Sequence, residues 1–82
     1  MNNNPLIQRI VIDPEVLSGK PIIQGTRLSV QYILGLLASG ADTKEILLEY
    51  KGLTHDDILA CFLFASTSLD NNTFTPLTMQ TA

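Results

Sequence analysis

Tryptophan is absent from this 82-residue chain, and cysteine and histidine occur once each, at Cys61 and His55. A single cysteine excludes an internal disulfide. His55 and Cys61 lie six apart, which puts them on different sides of a helix, so no zinc-type ligand set is expected. Charge is also scarce: 16% of residues are charged, with five Lys or Arg against eight Asp or Glu, for a net charge of −3. That balance excludes a protein whose whole surface binds polyanions, so any nucleic-acid contact must be local. No apolar run reaches the roughly 18 residues of a membrane-spanning helix. The opening Met1-Asn2-Asn3-Asn4-Pro5 lacks the charged and apolar regions of a signal peptide, so no membrane role is expected and the cytosol is the expected compartment. Neither a nucleophile with its base nor a metal or cofactor set can be found, and a non-enzymatic protein without cofactors is expected.

Apolar residues, by contrast, are plentiful. They make up 45% of the chain, yet a chain this short buries only about 60% of its unfolded surface. One domain with apolar surface left over for a partner is the consequence. From Arg9 to Val30 short apolar runs alternate with turns. Arg9 to Ile12 is strand-like, and Asp13-Pro14 turns the chain because proline fixes its own φ and biases the residue before it. Val16 and Leu17 precede a second turn at Ser18-Gly19-Lys20-Pro21, Ile22-Ile23 is strand-like again, and Gly25-Thr26-Arg27 closes a third turn. A hairpin-like segment results, its geometry set by glycines and prolines. Three of the five bases, Arg9, Lys20 and Arg27, fall in this segment and are the candidate nucleic-acid contacts. Asp42, Glu45, Glu49, Asp56, Asp57 and Asp70 make the remainder acidic.

Beyond Arg27 the pattern becomes helical. Ser29 is a suitable N-cap, and Val30, Ile33, Leu34, Leu37 and Ala38 share one face of a helix that Gly40 ends. A second helix starts at Asp42 or Thr43, with Glu45 closing a capping box. Ile46, Leu47 and Tyr50 face inward, and Lys51-Gly52 ends the helix. Thr54 and Asp57 form a like cap for a third helix reaching about Ser66 or Leu69. The expected fold is mainly α: a short N-terminal β-hairpin-like segment, then a three-helix bundle containing a helix-turn-helix. Residues 1–8 read as an N-terminal extension, 9–69 as the domain, and 70–82 as an extended tail.

The third helix argues against simple groove reading. A recognition helix places Arg, Lys, Asn or Gln at its start, whereas this one opens Thr54-His55-Asp56-Asp57. From Ile58 to Ala65 every residue is apolar, so the helix must be covered on more than one face. With Ile58, Cys61, Phe62 and Ala65 turned to the core, Leu59, Leu63 and Phe64 remain for a second copy or another protein. In the tail, Phe74, Leu77 and Met79 are isolated apolar anchors of the kind that order on a partner.

Blander readings suffice elsewhere. Ser18-Gly19-Lys20 resembles part of a phosphate loop but lacks the upstream glycine and the hydroxyl residue after lysine. Asp13 and Glu15 are explained as a turn aspartate and a surface glutamate. Arg27 either fastens its segment to a carboxylate such as Asp13 or Glu49, or contacts a phosphate.

The run IDPEVLSGKPIIQGTRLSVQYILGLLASGADTKEILLEYKGLTHDDILACFLFAS resembles the family called domain of unknown function 433. The shared pattern is an Asp-Pro turn, Gly19-Lys20-Pro21, Gly25-Thr26-Arg27 and three helices, over about residues 9 to 66. The resemblance implies a homeodomain-like or winged-helix-like fold and a role as an antitoxin, beside a toxin resembling PIN-type ribonucleases. The family usually has a proline after the aromatic residue that ends the second helix; here Lys51 follows Tyr50. The expected function is a toxin-binding interaction protein acting as a homo-oligomer, in which Arg27 is a further candidate for the toxin's acidic site. The alternative is a dimeric DNA-binding regulator.

Overall fold

The computed structural model of the chain describes residues 4–70. A hairpin forms where the β-branched runs meet: Ile10–Ile12 (β1) pairs antiparallel with Pro21–Ile23 (β2), in the register Ile10↔Ile23, Val11↔Ile22 and Ile12↔Pro21. Pro21 opens its strand, a position where the missing N–H disrupts the ladder least. Ahead of β1, Pro5–Arg9 is a 3₁₀ helix whose first turn is capped by Asn4, its side chain accepting from the Leu6 N–H at 3.0 Å.

Between the strands, the Asp13 carboxylate accepts from the Glu15 N–H at 2.9 Å, and the Asp13 carbonyl accepts from the Val16 N–H at 2.9 Å. This is the turn expected of Asp13-Pro14. The second turn is tighter than its sequence suggests. Positive φ extends beyond Gly19 (φ 82) to Leu17 (φ 50) and Ser18 (φ 58), a left-handed geometry that costs a side-chain-bearing residue about 1–2 kcal/mol. Two hydrogen bonds hold it, Gly19 N–H to the Val16 carbonyl at 3.0 Å and Lys20 N–H to that of Leu17 at 3.2 Å.

Gly25 (φ 81) makes the third turn, and Thr26 locks it. The Thr26 hydroxyl donates to the Ile23 carbonyl at 2.8 Å and accepts from the Leu28 N–H at 3.0 Å. Ile23 N–H in turn donates to the Leu28 carbonyl at 3.0 Å, and Ile22 bridges to Ser29. The hairpin is thus bonded directly to the start of Val30–Ala38 (α1), where Ser29 Oγ accepts from the Tyr32 N–H at 2.9 Å. At the other end Gly40 (φ 108) turns the chain, with Gly40 N–H on the Leu37 carbonyl and Ala41 N–H on that of Leu36, both at 3.1 Å. This is a complete Schellman turn. It draws Leu36, Leu37 and Ala41 against the core, while Ala38, expected on the inner face, is exposed.

Thr43–Glu49 (α2) carries the expected capping box, Glu45 N–H to Asp42 at 2.8 Å and Asp42 N–H to Glu45 at 2.9 Å. It stops before Lys51-Gly52. Tyr50 leaves helical geometry (φ −109, ψ 88), and Leu53, whose N–H reaches the Tyr50 carbonyl at 3.0 Å, drops into the core. His55–Asp70 (α3) follows, opened by Thr54 and Asp57, whose side chains accept from one another's N–H groups at 3.3 and 3.0 Å. The connection from α2 to α3 is the short helix-turn-helix link read from the sequence.

The core joins Ile23, Val30, Ile33, Ile46, Leu53, Ile58 and Cys61. On α3 the buried face differs from the expected one. Asp57, Ile58, Ala60 and Cys61 are buried, Phe64 packs against the core, and Phe62 is exposed. The reason lies outside α3: Pro5–Arg9 and β1 both pack against this helix as well as α1 and α2, so the covered face is wider and turned toward Asp57 and Ala60.

Candidate functional site

The structure separates the three bases grouped by the sequence. Arg9 Nη1 donates to Asp57 Oδ1 at 3.1 Å, and Nη2 lies 3.7 Å from Asp56 Oδ2. The Asp57 side chain is 9% exposed and that of Arg9 42%. The two acids at the start of α3 are therefore answered from within the chain, and Arg9 is committed to them rather than presented to a phosphate.

Lys20 and Arg27 stay together, lining an open cleft of about 770 Å³. Arg27 is not the clamp for its segment, because Thr26 fills that role and, among the described residues, Arg9 alone of the bases is in an ion pair. Leu17 and Lys20 from the left-handed turn form one wall of the cleft. Arg27 and Leu28 come from the third turn, Tyr32, Gly35 and Leu36 from α1, and Ser39 from the cap that ends it. Tyr32, Gly35, Leu36 and Ser39 follow the i, i+3, i+4, i+7 spacing of one helix face, so this floor was legible in the sequence, although only the opposite face of the helix was read from it.

Tyr50 closes the cleft. Its hydroxyl lies 2.7 Å from that of Tyr32, and the rings meet edge to face with centroids 6.2 Å apart. The hydrogen bond to Tyr32 is the main cause that pushes the Tyr50 pKa from 10.0 to about 12, with burial and neighbouring charge adding to it. A smaller hollow sharing Leu28 and Tyr50 adjoins the cleft and brings in Lys51, with Glu49 beside it. Gly35 has no packing reason to be glycine. A Cβ there would meet nothing within 4 Å, and its φ is not in the left-handed range. Glycine inside a helix costs about 0.5–1 kcal/mol relative to alanine.

A second surface lies on α3. Leu59 (38% exposed), Phe62 (49%) and Leu69 (63%) share one outward side. Leu63 is half-buried, and Phe64, expected at an interface, belongs to the core. Phe74 and Leu77 lie outside the described residues. Phe62 and Leu69 were missed because the expected helix face was set without the Pro5–Arg9 turn. Cys61 is fully buried, and burial, reinforced by the Asp57 charge, pushes its thiol pKa from 9.0 to about 11. Among the described residues no group of His, Cys, Asp and Glu could hold a metal ion, and no helix is long and apolar enough to cross a membrane.

A two-stranded hairpin bonded to the first of three helices, the last two joined by a tight turn, defines a small, mainly helical domain. The chain belongs to the DUF433 family, described as a protein of unknown function, whose pattern matches residues 10–65. The resemblance carried by Gly19-Lys20-Pro21 and Gly25-Thr26-Arg27 is thereby confirmed. The chain is similar to a solved structure, the crystal structure of a DUF433 member protein from Anabaena variabilis ATCC 29413, with 32% identity and a TM-score of 0.72. The likeness covers 77% of this chain and 62% of that one, so this chain spans less than two thirds of its neighbour's length. No curated protein matches the sequence.

Proposed function

We propose that this chain is a non-enzymatic interaction protein of the antitoxin kind, which acts in the cytosol by binding a protein resembling a PIN-type ribonuclease. The outward side of α3 supports this reading. Leu59, Phe62 and Leu69 hold apolar surface in water along a 16-residue helix, about 24 Å in length, and apolar surface arranged in this way is usually covered by protein. A second copy on the same side would make the homo-oligomer expected from composition.

The test is recovery of the tagged protein from its host, with mass spectrometry of what co-purifies and a mass for the complex. A stoichiometric nuclease-like protein, lost in Phe62→Asp, is the expected result. A bare homo-oligomer that retains nucleic acid would overturn it in favour of a DNA-binding regulator. That second reading is supported by Lys20 and Arg27 on one cleft. Two phosphate contacts would give a salt slope of about −2 per protomer, from about −0.9 per phosphate, and Lys20→Ala with Arg27→Ala would remove retention.

A further inference from the structure

We infer that the cleft between the hairpin turns and α1 is a docking site for an acidic segment of another protein, with an apolar or aromatic side chain of that segment seated over Gly35. Charge carries the first part of the argument. The chain is net acidic, yet Lys20 and Arg27 line this cleft with no acid among the described residues of its walls, and Lys51 with Glu49 stands in the adjoining hollow. Neither Lys20 nor Arg27 has an ion-pair partner among the described residues. A cationic pocket on an acidic body selects a short anionic ligand and repels a long one, because the carboxylates elsewhere on the chain would oppose a polyphosphate continuing beyond the cleft.

Shape carries the second part. Gly35 is a notch in the cleft lining, and among the described residues nothing comes within 4 Å of a Cβ placed there. The exposed Tyr32 ring and Leu36 flank it on the same helix face. Tyrosine, an apolar neighbour and cations set around a notch are the composition of a surface that takes one apolar anchor with carboxylates beside it. This site is separate from the outward side of α3, and it stands or falls independently of the function proposed above.

The experiment pans a phage-displayed random peptide library on the intact protein and, in parallel, on Gly35→Leu. That variant fills the notch without touching the core, so its thermal midpoint should equal or exceed that of the unaltered chain. The expected result is enrichment of acidic peptides carrying an apolar or aromatic residue. Their binding should weaken at least about tenfold in Lys20→Glu and in Arg27→Glu, and should be lost in Gly35→Leu while persisting in Phe62→Asp. No enrichment, enrichment of peptides without acidic residues, or equal binding to a folded Gly35→Leu would overturn the inference. So would a fluorescent oligothymidylate that binds the cleft in place of peptide, which would assign the site to single-stranded nucleic acid.

Discussion

Replacing Asp57 tests how the hairpin is held to the third helix. Its two carboxylate oxygens serve two partners, Arg9 Nη1 at 3.1 Å and the Thr54 N–H at 3.0 Å. Asp57→Ala removes a capping group, worth about 1 kcal/mol. It also removes a charge-assisted hydrogen bond, worth about 1 kcal/mol once the exposed half of Arg9 is discounted for solvent screening. The sum, about 2 kcal/mol, is a large share of the 4–12 kcal/mol or so expected for a domain of this size. Arg9→Ala should cost about as much by another route, because it strands a carboxylate that is 9% exposed. Urea unfolding followed by circular dichroism, with slopes of about 1 kcal/mol per molar, would show each variant as a midpoint lowered by about 2 M. The double variant should be destabilised by about 1 kcal/mol less than the sum of the two. Additivity to within about 0.5 kcal/mol would refute the reasoning and reduce the pair to surface decoration.

The two tyrosines of the chain allow a direct reading of their hydroxyl pair. An ultraviolet titration should show one phenol ionising near pH 12, and Tyr32→Phe should return it toward 10.0; an unchanged curve would refute the hydrogen bond as the cause. Cys61 has its pKa raised in the fold from 9.0 to about 11. Its contribution to stability is therefore complete below pH 9.0 and is lost as pH rises through about 11. Urea midpoints of the natural chain should fall more steeply than those of Cys61→Ala across that window, and parallel curves would refute the assignment. In the left-handed turn, Ser18→Gly should be neutral or stabilising by up to about 1 kcal/mol, and Gly19→Ala destabilising by about 1 kcal/mol. The added Cβ of the latter meets only the Pro14 Cα, at 3.9 Å, so the loss is one of backbone strain, and reversed signs in urea unfolding would refute it.

The helix ends were readable because their chemistry is local. Ser29, the Asp42–Glu45 box, the Thr54–Asp57 box and Gly40 each act within three or four residues, and each does what its neighbours in sequence imply. The face of α3 was not readable, since it depends on the Pro5–Arg9 turn lying against it from the far end of the chain. The same is true of Arg9, grouped with Lys20 and Arg27 by position yet bonded to a residue 48 positions away. Half of the cleft was legible in Lys20 and Arg27. The other half is the outward face of α1, written in Tyr32, Gly35, Leu36 and Ser39, which the apolar period of that helix does not mark because it traces only the inward face. Leu17 and Ser18 carried no signal, since neither residue type favours positive φ.

The bond between Arg9 and Asp57 also bears on how the protein is made. The hairpin leaves the ribosome before the three helices, but a two-stranded sheet is marginal in water by itself. Its covering helix is the last described element to be synthesised. With translation proceeding at about 5–20 residues per second, the nascent hairpin waits for several seconds with Ile10, Ile22 and Ile23 unprotected, and the domain closes only when α3 clears the exit tunnel. A message truncated before residue 57 would therefore yield a chain with no stable half to salvage.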